Sequence, residues 1–332
     1  MTAPTDLGVL RGLSSCADRD GYFTVLALDH PPVFLLPPAG PAGRSASETH
    51  RQAVQVKHDL AAAMAPQASA VLVDPDAGLP ALVATGALPG DVGLMLCIEG
   101  DEYQREPDAH RVPDVRAGWS VRKLKRAGGD ALKLIWRYRH EVPEAAEHRD
   151  FVRSLADACA AESVPYVVEP IWVPLPGEDL TDPAVRSSRV RGVVEYARLA
   201  SDLGADVVKT EFPGWVDTDQ DQQAAAEACA ELDASLEVPW LLLSAGVGYD
   251  AFALQTEIVA KAGAAGFIGG RAIWDAVVTP DAEARQAGVA TATARFAALQ
   301  ALVREHGRPW RAVRDAETAA AEHPPAWYAD WP

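Results

Sequence analysis

Short apolar runs alternate along the chain with longer, amphipathic and alanine-rich segments. Most of the short runs are apolar at consecutive positions, which is typical of parallel strands that are buried on both faces. Eight of these runs predict strands: Phe23–Leu28, Ala70–Val73, Gly93–Ile98, Ala131–Ile135, Tyr166–Val168, Asp206–Thr210, Trp240–Leu243 and Gly266–Gly269.

Helical patterns lie between the predicted strands, and several are followed directly by glycine, the residue that favours a helix C-terminus. The predicted helices are Glu48–Ala65, Arg116–Ala127, Arg149–Ala161, Arg189–Leu203, Gln222–Leu232 and Ala251–Ala262. A longer helical pattern, Ala282–Glu305, follows the last strand and leads into a tail that contains tryptophan and proline.

Eight alternating strand and helix units between Phe23 and Gly269 predict a (β/α)8 TIM barrel of the α/β class. A doubly wound open sheet is the structural alternative. No GxGxxG motif follows the first strand, which disfavours the dinucleotide-binding form of that alternative. We expect residues 1–332 to form one barrel domain with a C-terminal helix and tail from about residue 281.

The composition of the chain argues against several kinds of binding partner and cofactor. The 332 residues carry a formal net charge of −17, which argues against general binding to nucleic acid or to an anionic membrane. The four cysteines are widely spaced without a CxxC pair, so we expect reduced thiols rather than disulfides or a zinc site. The first residues lack the pattern of a signal peptide, and the apolar runs are too short to span a membrane. A cytoplasmic location is the expectation.

Catalytic residues of such barrels cluster at the C-terminal ends of the strands. That rule selects a short set of charged residues at or near predicted strand ends: Asp29, Asp74, Glu99, Lys133, Glu169, Lys209 and Glu211. Asp29 and Asp74 are assigned to substrate binding, and so is His30, which directly follows Asp29.

Lys209 is the most informative of these residues, because it lies inside a run that the pattern predicts to be buried. Lys133 occupies a similar run two strands earlier. Two lysines directed into one barrel mouth would repel each other, and one of them would then lose its proton more readily and attack a carbonyl group. Alternatively, each lysine pairs with a buried carboxylate. Glu169 suits both interpretations, as a general acid and base or as the partner of either lysine.

The two loops after the last strands predict an anion site. Ser244 and Gly246 follow the seventh strand, whereas Gly270 and Arg271 follow the eighth. Phosphate sites of barrels often lie after these two strands, glycine lets the backbone approach the anion, and arginine binds it through two hydrogen bonds. Ordinary glycine-rich turns are the simpler alternative. The histidines show no HxH or HExxH arrangement, so neither a metal nor another cofactor is expected.

At these residues the chain resembles the class I aldolases of the tagatose 1,6-bisphosphate aldolase family, which includes sulfofructose phosphate aldolases. The matching stretches, in the family's order, are LALDH (26–30), VLVDPDAGLPAL (71–82), WSVRKLKRAGGDALKLIWRY (119–138), YVVEP (166–170), DVVKTEFPG (206–214), WLLLSAGVGYDAF (240–252) and GFIGGRAIW (266–274).

The resemblance implies Schiff-base chemistry without a metal, in which a phosphorylated ketose is cleaved to dihydroxyacetone phosphate and an aldehyde. By matching motif, Lys209 is the Schiff-base lysine, and Glu169 and Lys133 occupy the supporting acid and base positions. The same motifs assign the substrate phosphate to a group of four residues: Ser244, Gly246, Gly270 and Arg271.

The chain departs from the family at two places. Asp29-His30-Pro31 stands where the family usually has Asp-Gln-Arg, and Ile98-Glu99-Gly100 stands where it tends to have Tyr-Glu-Lys. The loss of two cations favours, as an alternative, a deoxyribose phosphate aldolase-like lyase with a smaller, singly charged substrate. A second alternative is a sugar-phosphate-binding protein without turnover, against which the intact Lys209, Lys133 and Glu169 count.

The tryptophans at the end of the chain, Trp310, Trp327 and Trp331, suit two roles. One is a subunit contact in a homo-oligomer, and the other is a cover for the bottom of the barrel.

Overall fold

Eight short strands follow one another along the chain in the computed structural model, and most of their residues are buried. The structure describes residues 6–36, 43–100, 103, 108–279 and 281–312. The strands are β1 (Phe23–Ala27), β2 (Ala70–Val73), β3 (Gly93–Cys97), β4 (Ala131–Tyr138), β5 (Tyr166–Trp172), β6 (Val207–Thr210), β7 (Trp240–Leu243) and β8 (Gly266–Gly269).

The strands close into a parallel ring. Each strand pairs with the next along the chain, and β8 returns to pair with β1, where Leu26 lies opposite Gly269. Side chains alternate between two apolar layers: Ala70 and Leu72 of β2 point into the barrel, while Val71 and Val73 pack under the surrounding helices. This double burial explains the continuous apolar runs, and the predicted (β/α)8 barrel is confirmed.

Helices surround the ring. They are α1 (Leu7–Cys16), α2 (Pro32–Leu35), α3 (Ala46–Met64), α4 (Leu79–Thr85), α5 (Val121–Arg126), α6 (Ala145–Ala161), α7 (Pro183–Asp202), α8 (Asp219–Ala234), α9 (Tyr249–Ala262), α10 (Arg271–Trp274) and α11 (Ala282–His306). None of the helices in the described ranges is both long and apolar enough to cross a membrane.

Local capping explains where the helix boundaries differ from the predicted ones. Helix α7 begins at Pro183, six residues before the predicted start, because the Asp182 side chain accepts a hydrogen bond from the Ala184 N–H and Pro183 suits the first turn. Helix α5 begins five residues later than predicted. Its cap is Ser120, whose side chain accepts a hydrogen bond from the Lys123 N–H.

Strands β4 and β5 extend beyond their predicted ends at Ile135 and Val168. They stay in register up to the pair formed by Tyr138 and Trp172. Arg137 and Glu169 interrupt the apolar runs in the sequence, but buried aromatic side chains continue the packing on the helix side: Trp136, Tyr138 and Trp172. The two strands therefore form a raised wall on one side of the barrel mouth.

The opposite end of the barrel is closed by α1 and Trp310. Val9 and Leu13 of α1, together with Trp310, belong to the apolar cluster that fills the barrel interior. Trp310 is therefore a cover for the bottom of the barrel. Trp327, Trp331 and the rest of the predicted tail after residue 312 lie outside the described residues.

Candidate active site

A cavity of about 410 Å³ opens at the C-terminal ends of the strands. Nine of the ten residues that the sequence assigns to the site line it: Asp29, His30, Lys133, Glu169, Lys209, Ser244, Gly246, Gly270 and Arg271. The strand-end rule therefore places these side chains around one space, as expected for a barrel.

Charged groups alternate in sign across the floor of the cavity. The Nζ atom of Lys133 lies 2.7 Å from Glu169 Oε2, 3.0 Å from Asp29 Oδ2 and 3.4 Å from Glu99 Oε1. The other carboxyl oxygen of Glu169, Oε1, lies 2.8 Å from Lys209 Nζ. Glu169 thus bridges the two lysines, and both of these ion pairs are almost fully buried.

The bridge bears on both sequence interpretations of the lysines, which are compatible with each other. Burial alone would lower the pKa of Lys133, but Asp29, Glu169 and Glu99 together outweigh it and raise that pKa well above its usual value. Lys133 therefore stays an ammonium group. The sequence predicts that one of the two lysines loses its proton more readily, and Lys133 is not that lysine. Pairing of each lysine with a buried carboxylate is confirmed by the distances.

The carboxylates next to the lysines are held in their charged form. Burial would raise the pKa of Asp29, but Lys133, His30 and Lys209 outweigh it, so the pKa lies below its usual value. The pKa of Glu169 is likewise lowered, because Lys133 and Lys209 outweigh its burial. Burial lowers the pKa of His30 to about 4, which leaves its imidazole neutral near pH 7.

His30 is held on the side of the cavity formed by β1 and β8. Its ring meets the Trp274 ring edge-on, with the two centroids 5.1 Å apart. The backbone of Gly270 lies directly against it, since a Cβ atom built at Gly270 would be 2.4 Å from His30 Cε1. A side chain at position 270 would therefore displace the imidazole.

Arg271 is the cation of the predicted anion site. Its guanidinium group lies 4.4 Å above the Phe34 ring, and partial burial lowers its pKa. Among the residues that the structure describes, no carboxylate forms an ion pair with it. Arg271 therefore presents a positive charge to the cavity, as required for binding an anion.

The loop after β7 faces Arg271. Ala245 and Gly246 both have positive φ angles, of 45° and 77°. At Gly246 a Cβ atom would lie 2.7 Å from Arg271 Nη2. Glycine is required here both for the left-handed backbone and for the close approach of the guanidinium group.

Asp74 is the assigned residue that the structure places outside the cavity. Its Oδ2 atom pairs with the buried ammonium of Lys57, and its Oδ1 atom accepts hydrogen bonds from the N–H groups of Asp76 (3.0 Å) and Ala77 (2.7 Å). The carboxylate is thus used to join α3 to the turn after β2. Although it stands at a strand end, Asp74 is not among the residues that line the cavity.

The further lining residues include three charged residues and one aromatic residue that the sequence does not assign to the site: Glu99, Arg137, Glu211 and Phe34. The strand-end rule points to Glu99 and Glu211. Glu211 is paired with Arg189 at 2.9 Å and also accepts a hydrogen bond from the Trp172 N–H. Arg137 lies on the raised wall, and no sequence signal marks Phe34.

The comparisons with known proteins agree with this geometry. The sequence model described as "DeoC/LacD family aldolase" matches residues 40–276. The chain is 30% identical to tagatose 1,6-diphosphate aldolase 2 of Enterococcus faecalis over 71% of this chain and 75% of the relative. It is 28% identical to tagatose 1,6-diphosphate aldolase 2 of Streptococcus mutans over 79% and 82%.

Among solved structures, the fold is similar to that of an archaeal fructose-1,6-bisphosphate aldolase whose catalytic lysine is covalently bound to the carbinolamine intermediate of its substrate. The TM-score is 0.58 at 19% sequence identity, and the match covers 89% of this chain and 99% of the archaeal one.

Proposed function

The chain belongs to the DeoC/LacD family of aldolases, and from its cavity we propose that it is a class I aldolase in which Lys209 forms the Schiff base. The substrate we propose is a phosphorylated ketose of the tagatose 1,6-bisphosphate or sulfofructose phosphate type. It is cleaved to dihydroxyacetone phosphate and an aldehyde. One observation carries the proposal: the buried Lys209 amine faces the cavity with Glu169 2.8 Å away as its proton partner.

The first half of the reaction uses Glu169 twice. Transfer of a proton from Lys209 to Glu169 leaves a neutral amine, which attacks the C2 carbonyl of the ketose. The resulting carbinolamine hydroxyl takes a proton from Glu169 and leaves as water, which forms the iminium ion. Lys133, 2.7 Å from Glu169, stabilises the carboxylate whenever it is charged.

The second half breaks the C3–C4 bond. Ionised Glu169 accepts the proton of the C4 hydroxyl, and the bonding electron pair moves into the iminium to give an enamine and the free aldehyde. Protonation of the enamine at C3 and hydrolysis then release dihydroxyacetone phosphate and restore Lys209. Asp29, which keeps its charge beside Lys133, orients a substrate hydroxyl through its carboxylate.

The phosphate lies on the opposite side of the cavity from the raised wall. Arg271, the Ser244 hydroxyl and the backbone at Gly246 and Gly270 bind it. Neutral His30, between Asp29 and Gly270, borders the same end of the substrate.

The aldehyde half of the substrate faces the raised wall. In a ring of eight strands β4 lies across from β8, so Arg137 stands opposite Arg271. Ile135 and Ile171 give this wall an apolar surface below and beside the guanidinium group. A panel of aldehydes with and without a terminal anion, such as glyceraldehyde 3-phosphate and glyceraldehyde, tests whether Arg137 recognises a second charge.

The decisive experiment is borohydride trapping. The protein is incubated with dihydroxyacetone phosphate and sodium borohydride, and the adduct is located by mass spectrometry. We expect one adduct, on Lys209, and none in Lys209→Met, whose folding is checked by circular dichroism. Lys57→Met is the matched control, since Lys57 is equally buried but lies outside the cavity. An adduct on another lysine, or near-normal turnover by Lys209→Met, would refute the assignment.

The same experiment separates the two alternatives. An adduct with acetaldehyde but not with dihydroxyacetone phosphate would indicate a deoxyribose phosphate aldolase-like lyase. The absence of an adduct with any donor would indicate a sugar-phosphate-binding protein. We place the enzyme in the cytoplasm, and its four free, buried cysteines suit a reducing compartment.

A further inference from the structure

Glu99 is a buried carboxyl group for which the proposed reaction has no use. It follows β3 directly, and its side chain is fully buried at the floor of the cavity. Its Oε1 atom lies 3.4 Å from Lys133 Nζ and 3.5 Å from the Ile135 N–H. Its Oε2 atom is buried and has no hydrogen-bond partner among the described residues. A charged carboxylate in this position would leave one oxygen without compensation.

The charges of the cluster do not balance if Glu99 is ionised. Asp29, Glu99 and Glu169 are three carboxyl groups, whereas Lys133 and Lys209 supply two ammonium groups. Lys133 lies closer to Asp29 and to Glu169 than to Glu99, so its charge is already shared by two nearer carboxylates. The third negative charge has no counterion of its own among the described residues.

Burial has the largest influence on Glu99 and raises its pKa. Lys133 and a backbone hydrogen bond lower that pKa, Asp29 and Glu169 raise it, and the balance lies above the usual value. Burial also raises the pKa values of Cys97, Tyr103 and Tyr166, which therefore stay uncharged near pH 7. The groups around Glu99 are Asp29 on β1, Cys97 on β3, Tyr103, Lys133 on β4, and Tyr166 and Glu169 on β5.

We propose that Glu99 is a positioning residue that works as a neutral, protonated acid and keeps Lys133 directed at Asp29 and Glu169. This inference rests on the proposed Schiff-base function. Lys209 must give one proton to Glu169 before it attacks the ketose. A negative charge on Glu99 would draw Lys133 away from Asp29 and Glu169 and disturb the position of the Glu169 carboxylate. It would also stabilise the ammonium form of Lys209 and so oppose the loss of its proton, and ionisation of Glu99 therefore slows the reaction.

We therefore expect activity to fall at alkaline pH as the Glu99 carboxyl group ionises. The rate of borohydride trapping with dihydroxyacetone phosphate is measured against pH in the wild type and in Glu99→Gln, which keeps the size of the side chain but cannot ionise. We expect the alkaline limb of the profile to move up by about one pH unit or more in Glu99→Gln. Glu211→Gln is the matched control. It removes a cavity carboxylate that pairs with Arg189, outside the lysine cluster, and it leaves the limb in place.

A second readout does not depend on activity. Infrared difference spectra between the wild type and Glu99→Gln at pH 7 are expected to show the band of a protonated carboxyl group. If Glu99→Gln does not fold, the wild type is titrated alone, and the band disappears in step with the trapping rate as the pH rises.

Three results would overturn the inference: an alkaline limb unchanged in Glu99→Gln, no protonated-carboxyl band at pH 7, or a band that disappears more than about one pH unit away from the loss of trapping. Failure of the proposed function has a different signature. In that case the wild type gives no adduct on Lys209, while the infrared band still reports the proton on Glu99.

Discussion

Replacement of Lys133 by methionine tests the charge cluster in both its structural and its catalytic role. Methionine keeps most of the apolar stem but removes the ammonium group that pairs with Asp29, Glu169 and Glu99. Glu169 keeps Lys209 at 2.8 Å, and we infer that Glu99 is already neutral. Asp29 is therefore the carboxylate that loses its paired lysine, and His30 lies 3.7 Å from it.

The size of the destabilisation follows from the ability of Asp29 to take up a proton once its ammonium partner is gone. At pH 7, protonation of a carboxyl group with an ordinary pKa of about 3.9 costs about 4 kcal/mol, at 1.36 kcal/mol for each pH unit. The loss of folding stability cannot exceed this cost, because Asp29 can always take up a proton instead of staying charged. The value agrees with the roughly 3–5 kcal/mol measured when one partner of a buried ion pair is removed. We expect Lys133→Met to lower the free energy of unfolding by about 4 kcal/mol at pH 7 and by about 1.5 kcal/mol at pH 5.

The sign of the pH dependence follows from Asp29. Its folded pKa is lowered, so its pairing with Lys133 stabilises the wild type above the unfolded pKa and is lost as the pH falls. Between pH 7 and pH 5 this wild-type stabilisation stays complete, because both values lie above the unfolded pKa. In the variant the cost of protonating the unpaired Asp29 falls over the same range, so the difference between the two proteins must shrink on acidification. Denaturant unfolding at several pH values measures it. A difference at pH 7 below about 1 kcal/mol, or one that stays constant down to pH 5, would refute the reasoning.

Lys57→Met is the structural control for this experiment. Lys57 is also buried on a carboxylate, but after its removal Asp74 keeps two backbone N–H donors at 2.7 and 3.0 Å. We expect a smaller destabilisation and trapping on Lys209 that persists. Lys133→Met, by contrast, is expected to lose turnover by at least about 100-fold even where it is fully folded, a typical effect for a residue that assists proton transfer. Equal turnover in the two variants would remove Lys133 from the mechanism.

Three substitutions probe the anion site through KM, measured by initial rates with dihydroxyacetone phosphate as donor. Arg271→Ala is expected to raise KM about 10- to 100-fold, since a hydrogen bond to a charged group contributes roughly 1.5–3 kcal/mol. Gly246→Ala is expected to raise KM in the same direction, because its Cβ atom would lie 2.7 Å from Arg271 Nη2. Phe34→Ala removes the ring under the guanidinium group and is expected to raise KM about 3- to 10-fold, while Phe34→Tyr retains the wild-type value. Unchanged KM in Arg271→Ala would place the phosphate elsewhere.

The barrel and most of its site are readable from the sequence because both depend on periodicity. Continuous apolar runs mark strands buried on two faces, and the ends of those strands bring Lys209, Glu169 and Arg271 to one cavity. Asp74 satisfies the same rule but lies outside the cavity. Its partner Lys57 is one charged residue on an amphipathic helix, and a helical pattern does not show which of its charges is buried.

The raised wall is a second feature that the pattern hides. Arg137 and Glu169 end the apolar runs, yet β4 and β5 continue in register to Tyr138 and Trp172. The aromatic residues that continue these strands pack on the helix side, while Arg137 faces the cavity. A polar residue after an apolar run can thus mark the end of a strand. It can also be a residue within the strand whose side chain faces the cavity at the barrel mouth. Spacing alone does not separate the two.

The charge state of the two lysines depends on distances between side chains, and the hydrophobic pattern of the sequence does not give those distances. Both point into the mouth, so the sequence predicts that they repel each other and that one loses its proton. The two oxygens of Glu169 lie between them, at 2.7 and 2.8 Å, and turn repulsion into a bridge. Lys133 keeps its proton as a result. In the proposed reaction, Lys209 becomes a nucleophile by passing its own proton to Glu169, which lies 2.8 Å away. In Glu169→Gln no carboxylate would stand between Lys133 and Lys209, and their two ammonium groups would repel each other.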